Sequence, residues 1–496
     1  MTYHGFRYVR IDGVSLSQIK NIEAVVMGTP LRETGWFSCS DQRLNQLQRC
    51  IRQSTISNMF SVPTDCPQRE KMGWTGDIQV FAQTGCFNFD LSNFLASWLC
   101  NLRAEQLPDG EVPMVIPNYP MQDKSQRSRG GGTSSAWGDA CVLVPWYLFR
   151  QYGDLSILEK NLTTMERWLN FVAREAARQP ENFAHLTPAQ QARNHLLWTE
   201  GYHFGDWLVP SLRQQPDGVQ KGVDATREVI ASCFYAVTVQ TFIHVLDALI
   251  NAGNSEPILL EKREKFRRLL VQIRTAIREE YLAENGLIKG DLQGLYVLAL
   301  YSGVAEGELA ARVANRLAEL IEMNGNRLDT GFVSVPYLLD VLDDAGRHDL
   351  ALKLLFQTQS PSWLYMVENG ATTIWENWEA VLPDGTVTQS SFNHYALGCV
   401  GDWIYRNIGG IAPAAPGYKK ICFQPDIDCG LGHSHCSLQT AHGLIRCDWQ
   451  WTGDQCTIEV ALPAGCEAEL VLRGAHKRLA DARNYFRVTR SMKNEG

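Results

Sequence analysis

The sequence has little of what marks membrane, secreted or nucleic-acid-binding proteins. None of its apolar runs reaches the roughly 18–20 residues that a membrane span requires, and its start, MTYHGFRYVRIDG, lacks the basic and apolar regions of a secretory signal. Basic residues are in deficit, 46 Lys and Arg against 54 Asp and Glu, for a net charge of -8. Such a chain attracts phosphate backbones poorly. We therefore expect no nucleic-acid or membrane partner, and a cytoplasmic location.

Paired cysteine motifs are also missing, since none of the 14 cysteines forms a C-x-x-C pair. Without an export signal, reduced thiols are the expectation. Cys429, His433, His435 and Cys436 resemble metal ligands only faintly, because their spacing matches none of the usual zinc patterns. We expect small buried side chains and turn residues there, and neither a metal nor a cofactor.

The middle of the chain has the periodicity of helices. Between about residues 42 and 408, apolar residues recur at i, i+3, i+4 and i+7, as in 91–102, 266–281 and 309–321. These stretches predict about eleven helices, mostly antiparallel pairs joined by short loops. Strands are scarce here, which excludes a TIM barrel and favours a toroid of helical hairpins over residues 39–410. Two longer loops, 107–135 and 179–222, are expected to be functional.

The sequence patterns at both ends of the chain predict β structure. FRYVRI and IEAVVM predict a short N-terminal β segment at 1–38, which we interpret as the remnant of a preceding β domain. After Gly409 and Gly410 the apolar period becomes two, and this alternation predicts an antiparallel β domain at 411–475. The remaining residues, 476–496, are expected to form a polar tail.

One short segment concentrates acidic and aromatic residues. Residues 61–77 read SVPTDCPQREKMGWTGD, and Pro63, Pro67 and Gly73 exclude a continuous helix. The segment is therefore predicted to be a shaped loop between helices. Its simplest alternative is a surface loop whose acids pair with the neighbouring arginine and lysine.

The acidic residues of this loop suggest a catalytic role. Asp65, Glu70 and Asp77 would converge only for a functional reason, because three unpaired carboxylates repel one another. A carboxyl crowded by other acids and walled by Trp74 should have a raised pKa, the property that a general acid needs near neutral pH.

Two later segments complete the set of candidates. ATTIWENWE at 371–379 contains Glu376 and Glu379, which would share a face if the segment were helical, although an ordinary amphipathic turn is the alternative. His394 opens the last helix, where a structural hydrogen bond and a ligand contact both remain open. An early acidic loop and a late Trp-flanked glutamate together offer the two carboxyls and aromatic walls that glycoside hydrolysis uses.

These segments resemble the bacterial α-L-rhamnosidases of glycoside hydrolase family 78. The run DCPQREKMGWTGD at 65–77 is similar to the most specific motif of that family, although Lys71-Met72 stand where relatives commonly carry Arg-Leu. Further matches follow in order: SSAWGDA at 134–140, FGDWL at 204–208, ATTIWENW at 371–378, SFNHYALG at 391–398 and PGYKKICFQP at 416–425.

The resemblance implies a mainly α protein, an (α/α)6 barrel or six-hairpin toroid, with a C-terminal antiparallel β-sandwich domain. It also implies hydrolysis of terminal non-reducing α-L-rhamnose with inversion, from a rhamnosylated small molecule or oligosaccharide. By position, Glu70 matches the general acid and Glu376 the general base. The positions matching the sugar subsite are Asp65, Arg69, Trp74, Asp77, Trp137, Trp207 and His394.

The chemistry of rhamnose agrees with these positions. Its C6 methyl group needs an apolar wall beside groups that bind hydroxyls, and an inverting site keeps its carboxyls roughly 6.5–9.5 Å apart to admit a water. Two alternatives remain open. One is a different six-hairpin glycosidase or lyase acting on another deoxy sugar or a uronide; the other is a sugar-binding protein without catalysis.

Overall fold

The computed structural model describes residues 3–6, 8–118, 132–254, 256–479 and 481–489, and most of these lie in helices. The α-helices of the described residues are α1 Gln42–Asn58, α2 Thr75–Asn88, α3 Ser92–Glu105, α4 Ala140–Tyr152, α5 Ser156–Ala176, α6 Pro188–Arg193, α7 Pro210–Arg213, α8 Gly218–Asn251, α9 Pro257–Tyr281, α10 Gln293–Tyr301, α11 Gly307–Met323, α12 Val335–Asp344, α13 His348–Leu355, α14 Trp363–Glu368 and α15 Val400–Trp403.

Six inner helical segments close into a ring. Helices α2, α4, α8, α10 and α12 each contact the next, α12 contacts the helical stretch 396–408, and that stretch returns to α2. Almost every residue of α2 is buried, as expected for a helix surrounded on all sides. The outer helices α5, α9 and α11 bury one stripe each. This is the (α/α)6 barrel that the resemblance implied.

Helix α8 is the longest inner helix. Its 34 residues include an 18-residue window with a mean hydropathy of 1.7, long and apolar enough by composition to cross a membrane. However, 89% of that window is buried inside the fold. The expectation that no apolar run is long enough to span a membrane missed this stretch, whose apolar character is explained by its place in the inner ring.

Two β-sheets follow the barrel. The longer sheet has the strand order β1-β6-β7-β8-β11, the shorter one β10-β9-β5-β4, and β4 contacts β6 and β7 of the first sheet. The strands are β1 Gly35–Cys39, β4 Ile411–Pro413, β5 Lys420–Phe423, β6 His433–Thr440, β7 Gly443–Thr452, β8 Gln455–Ala461, β9 Glu467–Leu472, β10 Ala475–Leu479 and β11 Arg483–Thr489, while β2 Met59–Phe60 and β3 Val62–Pro63 form a separate hairpin.

At both chain ends the structure differs in part from the expectation, and of the predicted N-terminal β segment at 1–38 only β1, which begins at Gly35, is a strand. No strand forms at the described residues 3–6 and 8–34, and Tyr8 and Val26 are 92% and 96% exposed. β propensity alone does not form a strand without a neighbour to pair with. The expected polar tail at 476–496 instead supplies most of β10 and all of β11, which pair with β9 and β8.

All 14 cysteines lie in the described residues as free thiols, and Cys436 faces Cys447 across β6 and β7. Across the described ranges, no group of three or more His, Cys, Asp or Glu side chains is placed to hold a metal. The predicted loop 107–135 falls partly on residues 119–131, outside the described residues, and the loop 179–222 contains α6 and α7.

The inner helices share a direction, and this positions the site. Asp77 lies in the first turn of α2, Trp137 and Phe332 directly precede α4 and α12, and His394 precedes the stretch 396–408. All four side chains line one cavity. The N-terminal ends of the inner helices therefore meet at one end of the barrel, which we call the front.

Candidate active site

The loop from Asp65 to Trp74 folds back on itself at the front of the barrel. The Asp65 backbone N–H donates to the Met72 carbonyl at 2.9 Å, and the Met72 N–H donates to Asp65 Oδ1 at the same distance. Lys71 takes a left-handed conformation, with φ of 55°, and its N–H donates to the Cys66 carbonyl. This closed loop agrees with part of the shaped loop predicted at 61–77, whose residues 62–63 instead form β3 and whose last three residues begin α2. The closed loop carries Glu70.

Glu70 is held from one side only. Its Oε2 accepts a hydrogen bond from Trp74 Nε1 at 2.9 Å, and its backbone N–H donates to Cys66 Sγ. Within the described part of the chain, no donor reaches Oε1. The side chain is exposed and lines the cavity, so its free oxygen is accessible to a ligand.

Glu376 is fixed by a segment that is distant in sequence. Its N–H donates to the Ser391 carbonyl at 2.9 Å, and Ser391 N–H donates back to Glu376 Oε2 at 2.7 Å. The same oxygen accepts from Arg69 Nη1 at 3.2 Å and from Ser390 Oγ at 3.4 Å. Again, Oε1 accepts nothing from the described residues. Arg69 thus joins the acidic loop to the second glutamate.

Glu379 does not join Glu376 in the cavity. The segment 371–379 is irregular, so the shared helical face considered from the sequence does not form. Glu379 instead accepts hydrogen bonds from Gln214 Nε2 and from Ser360 Oγ. Arg213 is near both glutamates; burial lowers its pKa, and their charges act against that shift.

A buried histidine and two aspartates form the floor of the cavity. His394 Nε2 lies 3.0 Å from Asp77 Oδ1, and both side chains are 5% exposed. Burial lowers the pKa of His394, but the hydrogen bond and charge of Asp77, with Glu376 and Asp65, raise it overall to about 9. Burial raises the pKa of Asp65 to about 6, against the opposing charge of His394. The acid with the raised pKa is therefore Asp65, beside a positively charged imidazole.

Aromatic rings form the walls. Trp74, Trp137 and Trp207 were expected there and do line the cavity, together with Phe204 and Phe332, which the sequence analysis did not select. The Phe204 ring is central, with its centroid 4.4 Å from that of Trp137 and 5.1 Å from that of Trp207. Phe204 belongs to the quoted run FGDWL, so its position beside the tryptophan was the available signal.

Two buried aspartates hold the loops that carry these walls. Asp139 accepts hydrogen bonds from Ala136 N, Trp168 Nε1 and Thr238 Oγ1 at 2.7–2.9 Å, and burial raises its pKa to about 6. Because Ala136 and Asp139 flank Trp137, these bonds fix the backbone on either side of Trp137. Asp139 and the second aspartate, Asp206, both belong to the recognised motifs, although neither lines the cavity.

Asp206 holds the loops on the other side of the site in the same way. Its carboxylate accepts from the N–H groups of Gly331, Val333 and Ser334 and from Ser334 Oγ, at 2.7–3.2 Å. Phe332 N–H also donates to the carbonyl of Trp207 at 3.0 Å. One carboxylate therefore positions Trp207 and Phe332 together.

The structure brings the predicted residues to one place. A cavity of about 110 Å³, which we call the front cavity, is lined by Asp65, Glu70, Trp74, Asp77, Trp137, Phe204, Trp207, Phe332, Glu376 and His394. Arg69 is the one predicted residue outside this lining, and it binds Glu376 instead. Two carboxyls, each with one free oxygen, thus meet an apolar wall and a set of polar groups. This arrangement suits acid and base catalysis at a sugar.

The ring of inner helices with two carboxyls at its mouth has the architecture of a six-hairpin glycosidase domain. Comparison with known proteins specifies the family: residues 32–408 match the bacterial α-L-rhamnosidase six-hairpin glycosidase domain, and residues 410–487 match the bacterial α-L-rhamnosidase C-terminal domain. The chain belongs to the bacterial α-L-rhamnosidase family.

Individual relatives support this membership. An α-L-rhamnosidase of Formosa agariphila is 35% identical over 95% of this chain and 47% of its own length, and one of Streptomyces avermitilis is 34% identical over 96% and 42%. The chain spans about half the length of the curated relatives it matches. A crystal structure of the Streptomyces avermitilis enzyme complexed with L-rhamnose superposes with a TM-score of 0.79 at 32% identity, covering 94% of this chain and 42% of that one. The Aspergillus terreus α-L-rhamnosidase gives a TM-score of 0.84 at 29% identity, covering 98% and 54%.

Proposed function

We propose that this protein hydrolyses terminal non-reducing α-L-rhamnosides with inversion at the anomeric carbon. The observation that carries the proposal is that Glu70 and Glu376, about three hundred residues apart in sequence, line the same small cavity. The named activity of the relatives supports the choice of sugar. A rhamnosylated small molecule or oligosaccharide is the proposed substrate, and the cytoplasm the proposed location.

In this proposal Glu70 is the general acid. The Trp74 N–H occupies Oε2, so the carboxyl proton resides on Oε1, which is free of protein partners. That proton passes to the glycosidic oxygen as its bond to C1 breaks, and the aglycone leaves as a neutral alcohol. Protonation of a poor leaving group in this way contributes typically 10²–10⁴-fold to the rate.

Glu376 is the proposed general base. Arg69 and the Ser391 N–H hold Oε2, which leaves Oε1 to accept a proton from a water molecule. The water oxygen bonds to C1 from the face opposite the leaving group, so the configuration inverts. Glu70 has lost one proton and Glu376 has gained one, and exchange with solvent restores both. A carboxyl separation of roughly 6.5–9.5 Å remains our prediction for this pair.

The front cavity suits the shape of rhamnose. Trp74, Trp137 and Trp207 offer apolar faces for the C6 methyl group and the ring, while Asp77 and the His394 imidazole offer hydrogen bonds to hydroxyls. The fold alone does not select the sugar, so a panel of aryl glycosides is informative. Preference for a fucoside or glucuronide would favour the alternative glycosidase, and binding of rhamnose without turnover would favour the non-catalytic alternative.

Leaving-group dependence separates the two glutamates. With an alkyl α-L-rhamnoside, Glu70→Gln and Glu376→Gln should each lower kcat at least about 100-fold. With a dinitrophenyl rhamnoside, whose leaving group needs no proton, Glu70→Gln should recover most of the activity and Glu376→Gln should not. The matched control is Glu379→Gln, a nearby glutamate outside the cavity. NMR should show β-L-rhamnose as the first product; α-L-rhamnose, or full activity of Glu376→Gln, would contradict the proposal.

A further inference from the structure

A second cavity lies at the other end of the barrel. It has a volume of about 420 Å³ and adjoins a cavity of about 190 Å³, and the two share Gln83, Tyr147, Arg150 and Tyr301 in their linings. The volume of the larger one is within the range of roughly 300–1,000 Å³ that is typical of ligand sites. We call this larger one the rear cavity.

The rear cavity is remote from the front cavity along the helix axes. Arg150 and Tyr301 lie in the last turns of α4 and α10, whereas Trp137 and Asp77 lie at the starts of α4 and α2. With a rise of about 1.5 Å per residue, the ten residues from Ala140 to Arg150 span roughly 15 Å. The rear cavity is therefore a separate opening at the C-terminal ends of the inner helices.

The electrostatic character of the rear cavity is positive. Arg150 is exposed and makes neither an ion pair nor a hydrogen bond with the described residues, and it is the one Arg, Lys, Asp or Glu in this lining. His244 also lines the cavity, and burial lowers its pKa, so it is neutral at pH 7. Behind the wall, Arg274 donates to Gln240 Oε1 and to the Ser302 carbonyl.

The acids nearby do not satisfy Arg150. Asp340 and Asp402 line the adjoining smaller cavity, and both are bound to Arg406 at 2.7–3.0 Å. Their charges are therefore engaged with another guanidinium. An arginine in the last turn of a helix can also serve only to complement the helix dipole. In that case Arg150 would need no ligand.

Aromatic faces give the rear cavity a platform. Tyr301 is 40% exposed, and its ring stacks on the buried Tyr337 with centroids 3.8 Å apart and an interplanar angle of 22°. Trp146 stacks on His244 with centroids 5.6 Å apart. A ring supported from behind is a rigid surface for the apolar face of a ligand. An unpaired guanidinium beside such a ring suits a ligand with both a flat apolar face and an anionic group.

We propose that the rear cavity binds an acidic sugar, a hexuronate whose carboxylate pairs with Arg150 and whose ring stacks on Tyr301. A guanidinium binds a carboxylate through two parallel hydrogen bonds, which gives orientation as well as affinity. A neutral sugar would leave Arg150 unpaired, and an inorganic anion would leave the Tyr301 face uncovered. Both are therefore controls for the experiment.

Calorimetric titration of the full chain tests the proposal with sodium D-glucuronate as the probe. Glucuronate should bind at least about tenfold more tightly than D-glucose or inorganic phosphate, the equivalent of about 1.4 kcal/mol. Saturating L-rhamnose should leave its affinity unchanged, because rhamnose is expected in the front cavity. Competition by rhamnose, or equal affinity for glucose, would overturn the proposal.

Variants locate the binding site. Arg150→Met keeps the apolar stem and should weaken glucuronate binding at least about tenfold, whereas Arg268→Met, at an exposed arginine of α9 outside the cavity, should bind as the wild type does. If Arg150→Met does not fold, as judged by circular dichroism, Tyr301→Leu replaces it and should weaken binding several-fold. Unchanged glucuronate affinity in whichever of these variants folds would refute the assignment.

Discussion

Two histidines in this protein are each paired with carboxylates, one in the front cavity and one where the barrel meets the C-terminal sheets. His394 is 5% exposed and bonds Asp77. His348 is 40% exposed and lies between Asp343 Oδ1 at 2.6 Å and Asp426 Oδ2 at 2.7 Å. Asp426 follows β5, so the second histidine connects the barrel to the C-terminal domain.

Both histidines pair with aspartates, and they differ in how deeply they are buried. Hydrogen bonds from Asp343 and Asp426 raise the pKa of His348 to about 10, against its partial burial. At this partly exposed site water screens the charges, so such a pair contributes little to stability. The His394 pair is buried, and removing one partner there leaves an uncompensated charge. A histidine–carboxylate pair should therefore stabilise the fold strongly in the front cavity and only weakly where the barrel meets the C-terminal sheets.

His394→Asn should have the largest effect. The buried carboxylate of Asp77 would lose its cation while Asp65 and Glu376 remain close, and we expect a loss of about 3–5 kcal/mol in the free energy of unfolding. Turnover of an aryl rhamnoside should also fall about 100-fold, because the floor of the cavity carries the wrong charge. Urea unfolding and kcat/KM measure the two effects. The control is His348→Asn, and equal losses in both variants would remove the distinction.

Asp65→Asn should act in the opposite direction on stability. Burial raises the pKa of Asp65 from 3.8 to about 6, so its ionised form destabilises the fold increasingly as the pH rises from 3.8 to 6, and constantly above that. Asparagine can still accept the Met72 N–H bond. Above pH 6 the variant should gain about 1–2 kcal/mol in unfolding free energy, while its activity falls. A variant no more stable at pH 7 than the wild type would refute this.

The junction should show the smallest effect, with a defined pH dependence. The pKa of His348 is raised from 6.5 to about 10 in the folded state. Its contribution is therefore complete below pH 6.5, declines as the pH rises and is lost above about 10. We expect the wild type to exceed His348→Asn by about 1 kcal/mol at pH 6 and by nearly nothing above pH 10. A difference that stays constant across this range would contradict the assignment of the charge to His348.

Much of the fold could be predicted because it depends on local periodicity. The stripe in 266–281 became α9, and the alternation after residue 411 became paired strands. The runs FRYVRI and IEAVVM failed as strands for a non-local reason, since a β-prone run needs a neighbouring strand, and none pairs with the described residues of either run. The strands β10 and β11 were missed for the converse reason. Their polar, alternating residues are ordered by pairing with β9 and β8, which composition does not show.

Less of the site than of the fold could be predicted from local sequence patterns. The exclusion of a helix at Pro63 and Pro67 followed from backbone chemistry, and the roles of individual residues came from the resemblance. What the sequence did not show is the direction of each acid. Asp139 and Asp206 lie within the recognised motifs but bind backbone and side-chain donors away from the cavity, and Glu379 does so three residues from Glu376. Direction depends on partners from distant segments, which no local pattern encodes.

The two aspartates beneath the walls have a consequence for altering the protein. Asp139 and Asp206 secure the loops of Trp137 and Trp207 through bonds that do not involve either indole ring. Exchanging those rings for smaller or more polar side chains should reshape the recess while its backbone frame stays in place. Selectivity for the sugar could then be tuned by a library restricted to a few wall positions, with both glutamates left untouched. Libraries that include the aspartates should instead be dominated by misfolded members.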